Sequence, residues 1–243
     1  MTSVTAVLTP WYRRSGTAAA GPDEPGSLAP TAILDHESLH VQRQVARARA
    51  AATRSDAIAV LAAAHHIIRE EVRPVYAMNE AVPASRTLRR GSGSCSQRLA
   101  ILESVARAIG VRTRVRALLI DRSFWYPRFP HIGLALPNLM LLVWPEFQID
   151  DDWCSASELF GPIGCRGGGG FANRGAETLF EAVGRCAIGW DGRSHDDEYD
   201  LSRFVRADYG RFADRDEAFA RLGQTLTAPV RMLLDPVLRH IHA

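Results

Sequence analysis

Lysine is absent from the sequence of 243 residues, so all 29 positive charges are arginine. This absence excludes a lysine nucleophile, a Schiff-base lysine and the lysine of a phosphate-binding loop. The 27 acidic residues nearly balance the arginines, and the formal net charge is +2. Proteins that bind nucleic acid typically carry a basic stripe or patch, whereas here the two signs are interspersed along the whole chain. We therefore expect no nucleic-acid partner.

Long apolar runs and paired cysteines are also missing. No segment approaches the roughly 20 apolar residues that span a bilayer, and the first residues lack the basic and apolar regions of a secretory signal. We therefore expect a cytoplasmic protein without a membrane partner. The cysteines form no C-x-x-C pair in a chain that is long enough to bury a core without disulfides, which predicts free thiols. The four cysteines are Cys95, Cys154, Cys165 and Cys186.

No pattern of metal ligands or of a cofactor-binding loop is present. His65 and His66 are adjacent on a predicted helix, where their side chains point about 100° apart and cannot easily share an ion. The glycine run 167–170 lacks the strand-to-helix context of a phosphate loop and is predicted to be a mobile loop. We expect neither a metal nor a cofactor.

The composition, with 47% hydrophobic residues, is typical of a globular protein. Residues 1–30 are predicted to form a short strand and a linker rich in proline and glycine. Residues 31–160 are predicted to form the compact core. A glycine-rich loop over 161–175 and a helical part of the same domain over 176–243 follow.

Within the core, the spacing of apolar residues changes from helical to extended. Three segments have the spacing of an amphipathic helix: 35–52, 55–72 and 95–109. Ser55 is placed to cap the second of them. Three later segments have the residue types of strands: 111–119, 131–136 and 139–149. Pro137 and Asn138 are predicted to form a hairpin turn between the last two. A helix followed by three antiparallel strands predicts an α+β fold.

Cys95 lies in the first turn of the third predicted helix. The unpaired N–H groups and the dipole of a helix N-terminus favour the thiolate form of a cysteine there, which is its nucleophilic form. Gly91 and Gly93 allow a tight turn into the helix, and the small Ser92 and Ser94 leave the sulfur accessible. The backbone N–H of Cys95 or of its neighbour is a candidate oxyanion donor. The pattern predicts a reactive cysteine.

A cysteine nucleophile needs a base for its proton and a third group that orients the base. His131 opens the second predicted strand and Asp150 ends the third, so a hairpin would bring them together near its outer ends. Because the two arms differ in length, the pairing requires a bulge or an overhang near Trp144 and Pro145. We identify His131 as the candidate base and Asp150 as the candidate orienting group.

The aspartate is less well determined than the histidine. Asp151 and Asp152 follow Asp150 directly, and either is an alternative orienting group. The three carboxylates also precede a possible helical turn over 155–159, which they would cap.

Two sequence motifs flank the helix that begins at Cys95. Ser85-Arg86-Thr87-Leu88 and Gly93-Ser94-Cys95 precede it, and Ala108-Ile109-Gly110-Val111-Arg112-Thr113-Arg114 leads into the following strand. Together they resemble the core of the transglutaminase-like cysteine superfamily, over roughly residues 55 to 153. The resemblance implies a papain-like α+β core, in which a helix with an N-terminal cysteine packs on an antiparallel sheet, with additional C-terminal helices. It also implies a catalytic triad of Cys95, His131 and Asp150.

The resemblance implies acyl transfer through a thioester acyl-enzyme. An alanine-rich composition without lysine is typical of high-GC bacteria such as actinomycetes, in which such enzymes act on carrier-bound chains. We therefore predict an enzyme that condenses or releases an acyl chain in polyketide or nonribosomal peptide biosynthesis, by amide formation or Dieckmann cyclisation. Its partners would be an acyl thioester or peptide substrate and an acyl or peptidyl carrier protein. The alternatives are a cysteine peptidase or amidase, and a non-catalytic interaction protein with the same fold.

Apolar residues of the predicted strands and of the loop before them would suit an acyl chain, if they face the cleft rather than the core. They are Trp125, Phe129, Leu134, Leu136, Leu139, Met140 and Leu142. Self-crosslinking through lysine is excluded, because this chain contributes no lysine side chain as an acceptor.

Overall fold

The structure is a computed structural model that describes residues 24–125, 137–155 and 204–238. The predicted N-terminal strand, the predicted strand over 131–136 and the glycine-rich loop lie outside these residues. His131, Cys165 and Cys186 do so as well. Within the described residues, no helix is long and apolar enough to cross a bilayer.

Four helices precede the main sheet. In chain order they are α1 (Leu39–Ala51), α2 (Ala57–Glu71), α3 (Ala84–Arg90) and α4 (Cys95–Ala108). Three of them confirm the predicted helices, and α4 begins at Cys95 as predicted. The cap predicted at Ser55 is wrong, because the Asp56 side chain accepts the Ala59 N–H and starts α2 one residue later. Helix α1 likewise starts at the Ser38 cap rather than at residue 35.

Helix α3 was not predicted, because seven residues are too few to show a helical period. It follows Pro83 and ends at Gly91, which has the left-handed conformation typical of a helix C-terminus (φ 63°). A short parallel pair then joins β1 (Arg73–Pro74) to β2 (Ser92–Gly93). This pair connects the end of α2 to the segment that leads into α4.

The main sheet has four antiparallel strands in the order β5-β4-β3-β6. They are β3 (Thr113–Asp121), β4 (Leu139–Ile149), β5 (Asp152–Ser155) and β6 (Val205–Phe212). Strand β4 has the predicted bounds, whereas β3 begins two residues late because the Val111 N–H closes a turn onto Ala106. The β3–β4 ladder keeps one register throughout. The bulge or overhang predicted near Trp144 and Pro145 concerns pairing with the 131–136 strand, which lies outside the described residues.

Strand β6 corrects the prediction that residues 176–243 are helical. It pairs with β3 through two register shifts, and Gly210 within it has a positive φ of 78°. Two helices follow it and confirm the rest of that prediction within the described residues: α5 (Arg215–Leu222) and α6 (Ala228–Leu238).

Helix α4 is the central helix of the described fold. Every residue from Gln97 to Arg107 is buried, because α1, α2 and α3 pack on one side of α4 and the sheet packs on the other. One core cluster includes Leu61, Ile68, Leu102 and Phe147. The architecture is therefore α+β, with a buried helix on an antiparallel sheet and Cys95 at the first residue of that helix.

Candidate functional site

The N-terminus of α4 holds Cys95 in a half-buried position. A capping box stabilises it, because Ser94 Oγ accepts the Gln97 N–H at 3.2 Å and Gln97 Oε1 accepts the Ser94 N–H at 3.2 Å. The N–H groups of Cys95 and Ser96 have no acceptor among the described residues. Two backbone donors therefore remain available at the first two positions of the helix, next to a free thiol.

The backbone that approaches Cys95 is fixed by the β1–β2 pair. The Arg73 N–H donates to the Gly91 carbonyl at 3.0 Å, and the Val75 N–H donates to the Gly93 carbonyl at 3.1 Å. A Cβ on Gly93 would lie 2.7 Å from Thr87 Cγ2, which is too close for any larger residue without a shift. Gly93 is thus required by close packing rather than by an unusual φ.

Gln97 connects the first turn of α4 to its surroundings. Its side chain is fully buried, and Oε1 also accepts a hydrogen bond from Arg90 Nη2 at 2.7 Å. Its Nε2 donates to the Asn79 carbonyl at 2.7 Å, while Arg90 Nε donates to the Ser92 carbonyl at 2.9 Å. Hydrogen bonds therefore orient the Gln97 side chain from three segments: α3, the N-cap of α4 and the chain around Asn79.

The same network reaches the sheet. Gln224 Nε2 donates to Asn79 Oδ1 at 3.3 Å, and Gln224 Oε1 accepts the Glu80 N–H at 2.8 Å. The next residue, Thr225, accepts the Leu141 N–H on its hydroxyl at 3.1 Å. The beginning of β4 and the beginning of α4 therefore lie at the same end of the described fold.

A buried ion pair lies beside the first turn of α4. Arg215 donates to Ser96 Oγ at 2.8 Å, to Glu103 Oε1 at 2.6 Å and to the Val143 carbonyl at 3.4 Å. The side chains of Arg215 and Glu103 have no exposed surface. Burial raises the pKa of the Glu103 carboxyl, while Arg215 acts in the opposite direction. The pair fixes α5 against both α4 and β4.

Asp150 lies in the two-residue turn that joins β4 to β5. Asp150 and Asp151 have positive φ values of 50° and 70°, and Ile149 pairs with Asp152, as in a type I′ hairpin turn. All three aspartates are exposed. Of the helical turn predicted over 155–159, which these aspartates would cap, only Ser155 is described, and it is the last residue of β5.

The structure does not bring Asp150 close to Cys95. The Gln148 N–H donates to the Arg112 carbonyl at 3.0 Å, which places the turn beside the segment that follows the end of α4. A helix of 14 residues is about 20 Å long, and Cys95 is at its other end. Asp151 and Asp152 lie at the Asp150 end as well.

His131 falls outside the described residues, but the chain on either side of it is described. The Arg122 N–H donates to the Asn138 carbonyl at 3.0 Å, just beyond the last β3–β4 pair, Asp121 with Leu139. The segment that contains His131 therefore leaves and re-enters the described fold at the end of the sheet where α4 begins.

The predicted acyl-binding residues are only partly described. Leu139, Met140 and Leu142 are half-buried, and Leu142 packs against the core cluster of Leu61 and Phe147. Phe129, Leu134 and Leu136 lie outside the described residues, as does the side chain of Trp125. An acyl-binding cleft therefore stays a prediction.

Some residues of the site were missed by sequence reasoning. The capping role of Gln97 has a readable signal, because Ser94 and Gln97 have the S-x-x-Q spacing of a capping box. Arg215 and Gln224 have none, since their partners are distant in sequence. No group of three His, Cys, Asp or Glu side chains that could hold a metal ion occurs in the described ranges.

Comparisons with protein-family models, curated proteins and solved structures give no match for this chain. The chemistry of the site is therefore inferred from its own groups. These are a thiol, two N–H donors without an acceptor among the described residues, a fully hydrogen-bonded cap and a buried arginine that holds the neighbouring serine.

Proposed function

We propose that the chain is a cysteine-dependent acyltransferase in which Cys95 carries the acyl group as a thioester. The observation that supports it best is the pair of Cys95 and Ser96 N–H groups, which have no acceptor in the described part of the chain and lie beside the thiol at the start of a buried helix. Donors that are already oriented towards a developing oxyanion stabilise the transition state of acyl transfer. Every α-helix leaves its first N–H groups without an intrahelical partner, and in α4 a thiol lies at the first of these positions.

In the proposed reaction, Cys95 Sγ attacks the carbonyl carbon of an acyl thioester or amide. The tetrahedral oxyanion accepts hydrogen bonds from the Cys95 and Ser96 N–H groups. Its collapse breaks the bond to the donor, which leaves as a thiol or amine with one added proton. Attack on the new thioester by water, an amine or a carbanion then releases an acid, an amide or a carbon–carbon product, and regenerates Cys95.

The proton transfers are assigned to His131. Its segment enters and leaves the described fold at the end where α4 begins, which supports this assignment. Asp150 receives no role, because its turn lies beside the other end of α4. A helix that starts at a cysteine and packs on antiparallel strands also supports a transglutaminase-like core, and with it the use of carrier-bound acyl chains in specialised metabolism.

The direct test is acylation of the intact protein. The chain is incubated with a small neutral donor, octanoyl-N-acetylcysteamine thioester, and its intact mass is measured. We expect one octanoyl adduct on the wild type and on Cys154→Ala, the matched control, and none on Cys95→Ala. An equal adduct on Cys95→Ala, or none on the wild type, would overturn the proposal.

The wild type and Cys95→Ala also distinguish the two alternative functions, a peptidase or amidase and a non-catalytic interaction protein. A fluorogenic peptide library that is cleaved by the wild type but not by Cys95→Ala, with no acylation by the thioester, would identify a peptidase or amidase. No Cys95-dependent reaction with either donor would favour a non-catalytic interaction protein.

A further inference from the structure

The segment that surrounds Cys95 carries positive charge and no acid. Between Glu80 and Glu103 the sequence contains four arginines and no aspartate or glutamate. The stretches 38–55 and 104–120 also carry four arginines each and no acid. The four arginines between Glu80 and Glu103 are Arg86, Arg89, Arg90 and Arg98.

Two of these arginines have structural roles. Arg90 donates to the Ser92 carbonyl and to Gln97. Arg98 is fully buried and donates to the Arg69 carbonyl at 3.3 Å. Their guanidinium groups are therefore directed at the fold and position the backbone around α4.

The other two arginines point to solvent. Arg86 and Arg89 are exposed and form no hydrogen bond or ion pair through their side chains with a described residue. Residues three apart share a face of a helix, and Thr87, between them, is buried. Both guanidinium groups therefore lie on the outer face of α3, which ends at Arg90, five residues before Cys95.

A third exposed arginine lies next to this face. Arg73 is exposed, and its backbone N–H donates to the carbonyl of Gly91 at the end of α3. The nearest acid in sequence, Glu71, is paired with Arg47. Asp35 accepts the Ser85 N–H at 3.0 Å and so lies at the start of α3. Arg73, Arg86 and Arg89 define the α3 arginine surface, and none of their side chains pairs with an acid among the described residues.

We propose that the α3 arginine surface docks an acidic protein that delivers the acyl thioester to Cys95. This inference rests on the proposed function, because it concerns the donor for the same cysteine. Exposed arginines on a helix and a neighbouring strand match an extended acidic protein face. A small anion would instead need donors that converge on one point. Complementary charge at the rim of a site mainly accelerates association.

The first test compares two donors of the same acyl group. One is octanoyl on an acidic acyl carrier protein, and the other is the neutral octanoyl-N-acetylcysteamine thioester. In Arg86→Gln/Arg89→Gln, we expect the ratio of the carrier rate to the small-donor rate to fall about tenfold at low salt. The loss should disappear in about 0.5 M NaCl, where the charges are screened. The control is Arg49→Gln/Arg54→Gln, with the same charge change in the last turn of α1 and in the connection to α2, and its ratio should stay at the wild-type value.

A binding measurement separates failure of docking from failure of the proposed chemistry. The Cys95→Ala chain is titrated with the fluorescently labelled carrier protein, and anisotropy is followed. We expect salt-sensitive binding that Arg86→Gln/Arg89→Gln weakens about tenfold and the control does not, even if no acylation is ever observed. Equal binding by both double variants would overturn the proposal. So would an equal loss of rate with octanoyl coenzyme A, which would show that the arginines bind phosphate rather than a protein.

Discussion

Arg215 and Ser96 are 119 residues apart in sequence, and a hydrogen bond of 2.8 Å from the guanidinium of Arg215 to Ser96 Oγ joins them. Ser96 follows Cys95, so this contact ties the candidate oxyanion donors to α5. Because Arg215 also holds Glu103 and the Val143 carbonyl, it links a helix start, a helix interior and a strand. The position of Cys95 relative to the sheet therefore depends on a residue far downstream.

Replacement of Arg215 by methionine is expected to destabilise the fold strongly. The change leaves the Glu103 carboxyl buried without its partner, a situation that costs roughly 3–5 kcal/mol. The free energy of unfolding, measured in urea, should fall by about that amount. Arg221→Met on the same helix is the control, since Arg221 is exposed where it pairs with the half-buried Glu217, and loss of such a pair should cost less than about 1 kcal/mol.

The double variant Arg215→Met/Glu103→Leu distinguishes an unpaired charge from lost packing. It should recover most of the lost stability, because replacement of both members of a buried pair by apolar groups is often nearly neutral. A double variant as unstable as Arg215→Met alone would mean that the contacts to Ser96 and Val143 carry the stability.

The buried Glu103 also predicts a pH dependence of stability. Burial raises the pKa of this carboxyl in the folded chain above its unfolded value near 4.5. Between those two values the folded chain holds more protons than the unfolded chain, so the free energy of unfolding falls as pH rises. We expect the wild type to lose stability relative to Glu103→Gln as pH rises from about 4.5. The check is urea unfolding of both chains at several pH values, and a difference that does not change with pH would contradict the assignment.

The sequence predicted those elements whose signal is local. Helix α4 has a clear helical period and a glycine at its end, and β4 is a long apolar run that starts after Pro137, so both were found with nearly correct bounds. The segment of β6, by contrast, carries polar residues and a glycine, and it becomes a strand through its pairing with β3. That pairing joins residues such as Val115 and Phe212, which no local pattern connects.

The residues of the candidate site divide in the same way, into those that local sequence predicts and those whose location depends on strand pairing. The reactive position of Cys95 and the capping box of Ser94 follow from residues within one helical turn. The location of Asp150 depends instead on which strand pairs with β3 and in which direction. Since β4 itself pairs antiparallel with β3, its end lies beside the beginning of β3 and away from Cys95. The spacing of hydrophobic residues does not indicate which strand pairs with β3 or in which direction.

Substitution at Gly93 tests the packing that fixes Cys95. Gly93→Ala places a Cβ against Thr87 Cγ2, and overpacking of this kind costs typically about 1–3 kcal/mol. Thr87→Ser removes the clashing methyl group, so Gly93→Ala/Thr87→Ser should regain much of the loss in urea unfolding. Gly110→Ala is a comparison at a site with open space but a φ of 89°, where the loss arises from backbone strain and Thr87→Ser should not rescue it.

The thiol of Cys95 is expected to react faster than that of Cys154. Both are half-buried cysteines outside any disulfide among the described residues, but only Cys95 of the two lies at a helix N-terminus, whose backbone N–H groups interact favourably with negative charge. Alkylation by iodoacetamide at neutral pH, followed by peptide mass analysis, should modify Cys95 first. The preference should vanish in the urea-unfolded chain, and a preference that persists there would show that helix α4 is not its cause.

Asp150→Asn distinguishes a turn residue from a member of a catalytic triad. Asparagine tolerates the positive φ of a type I′ turn as well as aspartate does, so the stability of the chain should change little. Because the turn lies beside the end of α4 opposite Cys95, and α4 is about 20 Å long, the rate of Cys95 acylation should stay within a factor of about two. An aspartate that orients a catalytic histidine behaves differently, since its replacement by asparagine lowers turnover by orders of magnitude.

His131→Ala provides the positive control, because loss of the proposed base should lower the acylation rate by at least about 100-fold. A comparable loss in Asp150→Asn would place Asp150 in the catalytic machinery and would require the strand that ends at it to approach Cys95 during the reaction.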